Sequence, residues 1–220
     1  MDICFVLVRP ARPENIGAAA RAIKTMGFTQ LRVVASEAHL RDEARWVAHG
    51  AEDVVAGIEA FASLAEALAD CQLCVGTTAR SRSGKHRYLS AEQLAEQVAR
   101  QQGAVSRLAV VFGCEASGLS NEELALCQLR SYLPLAQPQP SLNLGQAVML
   151  YAYELRLRAE DNADTVPARL LQQARLQLAQ VLAKSAIAED EIPARWAMET
   201  LHQAGTRDLK LLLFILGKLS

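Results

Sequence analysis

The sequence predicts an α/β fold: a mainly parallel β-sheet with helices on both faces, followed by a helical extension. Over the first two thirds of the 220-residue chain, short apolar runs of strand length alternate with helical stretches. Several of these runs are apolar without interruption, as expected of strands that are covered on both faces. From residue 165 onward no strand candidate remains, and Gln, Ala, Leu and Arg dominate the sequence.

The elements follow from apolar runs and from residues that start or stop helices. Ile3–Val8 is predicted to be the first strand. A helix follows, with Asn15 as its expected N-cap and Gly27 as its stop. Ser120 and Glu123 have the spacing of a capping box. Further strands are predicted at 31–34, 73–76 and 108–112, and further helices at 41–49, 63–69 and up to residue 158.

We predict two domains, an α/β domain over residues 1–160 and a helical extension over residues 165–220. Asp161–Asp164 is the expected linker. Three helices are predicted in the extension, at 167–184, 192–203 and 206–218. A satellite domain, a dimer element and a substrate clamp all fit this extension, and its sequence does not choose among them.

Composition restricts the partners and the compartment. The 23 Lys and Arg against 24 Asp and Glu exclude a bulk polyanion binder, and 5% aromatic content disfavours an RNA-stacking platform. No apolar run reaches the roughly 18 residues of a membrane span, and no signal peptide is recognisable, so a cytoplasmic protein is expected. Five scattered cysteines indicate free thiols. The lone pair Cys71-x-x-Cys74 favours thiols beside a strand over a redox or zinc site, and no metal is expected.

Three loops after predicted strands carry polar residues at the edge where an open α/β sheet binds its ligand. The first contains Asn15-x-Gly17-x-x-Ala20-Arg21 and lacks the glycine fingerprint of a dinucleotide site, which counts against a nicotinamide enzyme. The second contains Gly113-x-Glu115-x-x-Gly118-Leu119, in which two glycines allow the backbone close to a ligand. The third runs through Leu133-Pro134-Leu135 to Ser141-Leu142-Asn143-Leu144, at the start of a long helix.

These three motifs, in this order, resemble those of the SpoU/TrmH branch of the SPOUT RNA methyltransferases. Within the branch, residues 20–27 and 75–82 are most similar to the TrmJ/LasT-like group of tRNA and rRNA ribose methyltransferases. The resemblance covers about residues 1–158 and implies a C-terminal trefoil knot that binds S-adenosyl-L-methionine. Cys114, where relatives often have a polar residue, and the Gln137–Pro140 loop depart from the pattern and bear on the choice of RNA.

The resemblance also implies the site residues. Arg21 is expected to activate the substrate hydroxyl, with Asn15, Glu115, Ser141 and Asn143 orienting it, the ribose and the cofactor. The expected cofactor-binding residues are Thr77, Thr78, Ala79, Gly113, Gly118, Leu133, Leu135, Ser141, Leu142 and Asn143. Residues 71–90 contain no acid, and beside a cofactor loop their basic side chains are expected to bind RNA phosphate, with Arg9 and Arg12 extending the patch. The basic residues are Arg80, Arg82, Lys85 and Arg87.

The implied reaction is methyl transfer to a ribose 2′-hydroxyl of tRNA, favoured over rRNA, by a homodimer. A guanidinium keeps its proton at neutral pH, so Arg21 is expected to stabilise the developing alkoxide rather than to abstract a proton. Two alternatives stay open: methylation of a base nitrogen, as in other SPOUT branches, and a non-catalytic RNA-binding module on the same fold.

Overall fold

The structure of the protein is a computed structural model, and it describes residues 1–79, 88–101, 103–137, 142–159, 166–185, 187–188 and 191–219. Its centre is one seven-stranded sheet in which every pair of neighbouring strands is parallel. The strands are β1 (Asp2–Val8), β2 (Gln30–Val34), β3 (Glu59–Phe61), β4 (Leu73–Thr78), β5 (Tyr88–Ser90), β6 (Arg107–Phe112) and β7 (Leu129–Tyr132).

The strand order is β3-β2-β1-β6-β4-β7-β5, so β1 lies inside the sheet and pairs with β2 and β6. The inner strands are buried on both faces; Cys4–Val8 of β1 and Leu108–Phe112 of β6 are almost inaccessible to solvent. Unbroken apolar runs are therefore required in these strands, and the predicted α/β class is confirmed. The trefoil knot stays a prediction.

The helices cover both faces of the sheet and form the C-terminal part of the chain. They are α1 (Pro13–Thr25), α2 (Asp42–Val47), α3 (Glu52–Ala56), α4 (Leu64–Leu68), α5 (Ala91–Arg100), α6 (Asn121–Ala125), α7 (Leu144–Ala159), α8 (Ala168–Lys184), α9 (Ile192–Gln203) and α10 (Thr206–Leu219). The three C-terminal helices lie close to their predicted bounds.

Helix α1 begins earlier than predicted, and the prediction that Asn15 is its N-cap is wrong. Pro13 opens the helix, because its fixed φ suits the first helical position, and Arg12 precedes it in extended conformation without a capping side chain. Asn15 consequently lies within the first turn, where its side chain is free to bond elsewhere. Gly17 lets α2 pack closely, since a Cβ there would lie 2.1 Å from the carbonyl oxygen of Ala44.

The C-terminal helices pack on the α/β core. The amide of Val166 donates to the carbonyl oxygen of Arg100, at the end of α5, over 2.6 Å. Leu171, Ala174 and Leu178 form the buried stripe of α8, at the three- and four-residue spacing of one helix face. The predicted linker lies outside the described residues, and the division at 160–165 stays a prediction.

Two further observations apply only to the part of the chain that the structure describes. No helix there is long and apolar enough to cross a membrane. Nor does any group of three or more His, Cys, Asp or Glu side chains there have an arrangement that could hold a metal ion.

Candidate active site

A cavity of about 570 Å³ opens beyond the carboxyl ends of β4, β6 and β7, where an open α/β sheet binds its ligand. Its volume lies within the range of roughly 300–1,000 Å³ that is typical of small-molecule sites. It is lined by Thr77, Thr78, Ala79, Phe112, Gly113, Cys114, Glu115, Ala116, Ser117, Gly118, Leu119, Leu133, Leu135, Leu142, Leu144, Ala147 and Tyr151.

The cavity brings together the three segments in which the sequence places the cofactor. Thr77–Ala79 come from the end of β4, Gly113 and Gly118 from the turn after β6, and Leu133, Leu135 and Leu142 from the segment after β7. Asn143 stands between two lining residues and bonds to the network described below. Ser141 lies outside the described residues.

The turn after β6 is tight because it carries glycine at both ends. A Cβ on Gly113 would lie 2.0 Å from the carbonyl carbon of Gly118, which no side chain could tolerate. Gly118 has a φ of 70°, a left-handed conformation that favours glycine. Its amide donates to the carbonyl oxygen of Cys114 over 2.9 Å and closes the turn. The Gly-x-Glu-x-x-Gly spacing therefore folds the backbone back on itself and presents Glu115 at the cavity.

Three side chains link the three motifs in a row. The Asn15 side-chain amide donates to Oε1 of Glu115 over 2.6 Å. The side-chain amide of Asn143 donates in turn to Oδ1 of Asn15 over 2.7 Å. Asn15 is 7% exposed, so both bonds are partly shielded from water at their shared partner. The loop after β1, the turn after β6 and the start of α7 are thus held in one arrangement beside the cavity.

Three donors hold the Glu115 carboxylate. Besides Asn15, the backbone amides of Ala11 and Arg12 approach it, at 3.1 Å to Oε2 and 3.4 Å to Oε1. Burial by itself raises the pKa of Glu115, but the hydrogen bonds from Asn15 and from the backbone outweigh burial and hold that pKa below its usual range. Glu115 is therefore a charged acceptor that positions its neighbours.

Asn143 also caps the long helix α7. Its Oδ1 accepts from the backbone amide of Gly145 over 2.8 Å, and its backbone amide donates to Oε1 of Gln146 over 3.1 Å. An asparagine in this position satisfies amides that the first helical turn leaves without partners. The residue therefore both starts the helix and orients Asn15.

Arg21 lies on α1, six residues after Asn15, and is exposed. Thr25 donates to its carbonyl oxygen, but with the residues that the structure describes its guanidinium makes neither hydrogen bond nor ion pair. The side chain is therefore available to an anionic ligand. Arg21 is not among the residues that line the cavity.

The predicted RNA-binding residues differ in their surroundings. Arg9 forms a two-point ion pair with Glu123, whose second contact, Nη2 to Oε2, is 3.1 Å. Glu123 completes the predicted capping box with Ser120. Arg12 is exposed, whereas Arg80, Arg82, Lys85 and Arg87 lie outside the described residues. Arg9 is thus less available to phosphate than the sequence implies.

Residues 2–153 match the SpoU rRNA Methylase family. The chain belongs to this family. The match ends inside α7, so it contains all three motifs and the whole sheet. The predicted membership of the SpoU branch is confirmed.

Similar proteins include characterised and uncharacterised SpoU relatives. The uncharacterized tRNA/rRNA methyltransferase LasT of Escherichia coli is 44% identical, over 96% of this chain and 94% of its own length. The tRNA (cytidine/uridine/adenosine-2′-O-)-methyltransferase TrmJ of Pseudomonas aeruginosa is 39% identical over 70% of this chain, and the match covers 60% of that enzyme. The crystal structure of TrmJ from Z. mobilis has a TM-score of 0.67 and 31% identity, covering 100% of this chain and 99% of that one.

Sequence reasoning missed the aromatic floor of this SpoU cavity. Phe112 and Tyr151 line it and meet edge to face, with ring centroids 5.5 Å apart. The Tyr151 hydroxyl donates to Oγ of the buried Ser131 over 2.9 Å, which fixes the ring. Spacing could have revealed this face, since Leu144, Ala147 and Tyr151 recur every three or four residues along α7.

Proposed function

We propose that the protein transfers a methyl group from S-adenosyl-L-methionine to a ribose 2′-hydroxyl of tRNA, or of rRNA. Membership of the SpoU family supports the reaction class, and the names of the LasT and TrmJ relatives support the substrate. One observation carries the proposal: Glu115, Asn15 and Asn143 hydrogen-bond in series and hold the three motif loops together at the cavity.

The cavity residues fit S-adenosyl-L-methionine. Leu133, Leu135 and Leu142 give an apolar slot suited to an adenine ring. The turn between Gly113 and Gly118 leaves backbone exposed to a ligand, because neither residue has a side chain. When bound there, the cofactor supplies an electrophilic methyl group on a positively charged sulfonium.

A ribose hydroxyl is a weak nucleophile, so its negative charge must be stabilised as the methyl arrives. Arg21 provides a permanent positive charge that forms no ion pair with a carboxylate among the described residues. Its guanidinium would stabilise the developing alkoxide and bind the adjacent phosphate through its forked donors. Proton abstraction by Arg21 is disfavoured, because a guanidinium gives up its proton only in strong base.

Asn15, Glu115, Ser141 and Asn143 act by positioning. Glu115 accepts from three donors and stays ionised, so it holds the loop after β1 and partly offsets the positive charges of Arg21 and the sulfonium. Asn15 and Asn143 pass this restraint to α7. Ser141, two residues before Asn143, is proposed to contact the cofactor or the ribose.

RNA is proposed to bind through a small basic footprint. The segment with Arg80, Arg82, Lys85 and Arg87 directly follows Ala79, which lines the cavity. Arg12 extends this footprint from the loop before α1, and Arg9 contributes once RNA competes with Glu123. The helices of residues 165–220, proposed as a separate domain, are expected to add RNA contacts or dimer surface.

We propose a homodimer that acts in the cytoplasm, where its tRNA substrate resides. Leu150, Tyr153 and Leu157 lie on one face of α7 and are 39%, 46% and 47% exposed. Exposed apolar side chains that adjoin one another, unlike isolated ones, are typical of an interaction surface. Helix α7 packs on α1, the helix that carries Arg21. Sedimentation equilibrium should give a dimer, and a Tyr153→Lys variant should shift it to monomer.

Transfer is tested by incubating the protein with methyl-labelled S-adenosyl-L-methionine and total tRNA from a strain that lacks its gene. Label should enter this tRNA and not tRNA from the parent strain, whose sites are already methylated. No incorporation into tRNA or rRNA would contradict the proposal.

A further inference from the structure

A group of thiols lies in the sheet away from the cavity, and the proposed function does not use it. We refer to Cys4, Cys71 and Cys74 as the thiol cluster. Cys4 is the third residue of β1, Cys74 the second residue of β4, and Cys71 precedes β4. The Sγ atoms of Cys4 and Cys71 are 3.8 Å apart, although 67 residues separate them in sequence. The cavity lies at the opposite, carboxyl end of the same strands.

The strand register explains why these sulfurs meet. Cys4 and Cys74 both align with Ala109 of β6, the strand between them, and all three point into the same apolar layer. Because neighbouring strands are about 4.8 Å apart, Cys4 and Cys74 are too distant to touch each other directly. Cys71 packs against the apolar layer that contains Cys4, Cys74 and Ala109.

A buried positive charge accompanies the cluster. Nη1 of Arg32 lies 3.6 Å from Sγ of Cys71, and the Arg32 side chain is only 5% exposed. Arg32 is fixed by hydrogen bonds to Glu59 over 2.9 Å and to Asp70 over 2.6 and 2.8 Å. A cation beside the sulfur favours the reactive thiolate form of cysteine. The Asp70 carboxylate, which accepts from Sγ of Cys71 over 3.4 Å, opposes it.

Hydrogen bonding from the neighbouring thiols also favours the thiolate form of Cys71. The pKa of Cys71 is lowered, chiefly because the thiols of Cys4 and Cys74 direct hydrogen bonds to its sulfur. Burial and the Asp70 carboxylate oppose this effect without reversing it. The pKa of Cys4 is raised by the same hydrogen bond and by burial, so Cys71 is the thiol that ionises.

The two partners also differ in access to solvent. Cys71 is partly exposed, whereas Cys4 is fully buried and Cys74 is 3% exposed. A small oxidant can therefore reach Cys71 first, and the Cys4 thiol is already beside it on the protected side. This is the arrangement of a reactive thiol with a resolving thiol.

We propose that Cys71 and Cys4 form a reversible disulfide when the protein meets a hydroperoxide. With hydrogen peroxide, the Cys71 thiolate attacks one peroxide oxygen, an S–O bond forms as the O–O bond breaks, and Cys71 becomes a sulfenic acid. The other oxygen leaves as hydroxide and takes up the proton released by Cys71 to become water. The Cys4 sulfur then attacks Sγ of Cys71, the S–S bond forms, and the sulfenic oxygen leaves as water with the Cys4 proton. The two thiols together lose two electrons, and these reduce one hydrogen peroxide to two waters.

The bond needs only a local movement. A disulfide sulfur pair is about 2.05 Å apart, so the two Sγ atoms must approach by roughly 1.8 Å. Cys71 lies in the short connection between α4 and β4, which can adjust more easily than β1 inside the sheet. Because the cavity is at the other end of the strands, oxidation should leave the affinity for S-adenosyl-L-methionine unchanged within about twofold.

The test treats the full chain with a small excess of hydrogen peroxide, counts thiols after denaturation and maps disulfides without reduction. Free thiols should fall from five to three, with Cys4 linked to Cys71, and dithiothreitol should restore all five. Five thiols after treatment, a bond between chains, or a Cys71–Cys74 linkage would overturn the proposal.

Variants identify the order of events. In Cys4→Ala the sulfenic acid at Cys71 should persist and be trapped by dimedone, whereas Cys71→Ser should yield neither label nor disulfide. Cys114→Ser and Cys127→Ser serve as matched controls and should form the bond as the unaltered chain does. Dimedone labelling at Cys114 or Cys127 instead of Cys71 would overturn the assignment of the reactive thiol, even if the Cys4 variant did not fold.

Discussion

The Asn15 side-chain amide lies 2.6 Å from Oε1 of Glu115, across one hundred residues of sequence. This contact joins the first motif to the second, and Asn143 extends it to the third over 2.7 Å. The three motifs, although distant in sequence, therefore form one hydrogen-bonded site. Each motif contributes one member of a hydrogen-bonded row centred on the buried Asn15, so loss of any member leaves a neighbour without its partner.

Glu115→Gln should weaken both folding and catalysis. The glutamine keeps the shape, but its NH₂ group would face donors from Ala11, Arg12 or Asn15. We expect a loss of about 1–3 kcal/mol in the free energy of unfolding, measured with urea, and at least a tenfold loss of methyl transfer. Glu122→Gln, an exposed neighbour, is the control and should change neither. Equal values for the two variants would contradict the positioning role.

Stability should fall in acid because the pKa of Glu115 is lower in the folded protein than its ordinary value of about 4.3. A lowered folded pKa stabilises the protein above the unfolded value and loses this effect as the pH falls through the folded value. Asp70, whose pKa is held low chiefly by hydrogen bonds from Arg32, acts in the same direction. Urea unfolding between pH 7 and pH 3 should show a decline below about pH 4. An Asp70→Asn variant that declined as steeply as the unaltered chain would contradict this account.

Gly113→Ala should disrupt the cofactor turn. The added Cβ would lie 2.0 Å from backbone atoms of Gly118, so the turn must open. We expect at least a tenfold weaker Kd for S-adenosyl-L-methionine by calorimetry. Gly205→Ala is a suitable control, because a Cβ there meets nothing within 4 Å. Unchanged binding by Gly113→Ala would show that the turn does not contact the cofactor.

Arg21→Ala should separate catalysis from cofactor binding. Removing a charge that stabilises the developing alkoxide typically costs about 10²–10³-fold in rate. The Kd for the cofactor should stay within a few fold, because Arg21 does not line the cavity. Arg45→Ala, another exposed arginine without a side-chain partner among the described residues, should retain full rate. A large loss of cofactor affinity in Arg21→Ala would make Arg21 a structural residue.

Replacing the four basic residues at 80, 82, 85 and 87 by glutamine should weaken RNA binding without affecting cofactor binding. Each phosphate contact contributes about 0.7 to the slope of log affinity against log salt for single strands. Four lost contacts should therefore reduce that slope by up to about 3. Filter binding of tRNA over a range of salt concentrations measures it, and an unchanged slope would place the phosphate contacts elsewhere.

The sequence was sufficient for the fold class because the inner strands are buried on both faces. Runs such as Ile3–Val8 admit few other structures. Edge and short strands gave no comparable signal. β7 contains Arg130 and Ser131 within its four residues, and β3 and β5 have three residues each. Their pairing depends on neighbours that are distant in sequence, so local apolar patterns could not locate them.

The site residues also divide into those that the sequence predicts and those that only the fold reveals. The family resemblance implies that glycines 113 and 118 and the leucines at 133, 135 and 142 bind the cofactor, and the structure gathers them in one cavity. The sequence predicts Asn15 as a helix cap, because asparagine before an apolar stretch usually is one. Its partner, Glu115, is one hundred residues away, and only the folded sheet brings the two together. Tyr151 was missed for a similar reason, since its role depends on Ser131 and Phe112.

Identification of the product nucleoside decides whether the methyl group goes to a ribose hydroxyl. tRNA methylated by the purified protein is digested to nucleosides, and the methyl group is assigned by mass-spectrometric fragmentation. We expect the methyl group on the ribose fragment, and no methyl group with Arg21→Ala. A methyl group on the base fragment would contradict this expectation.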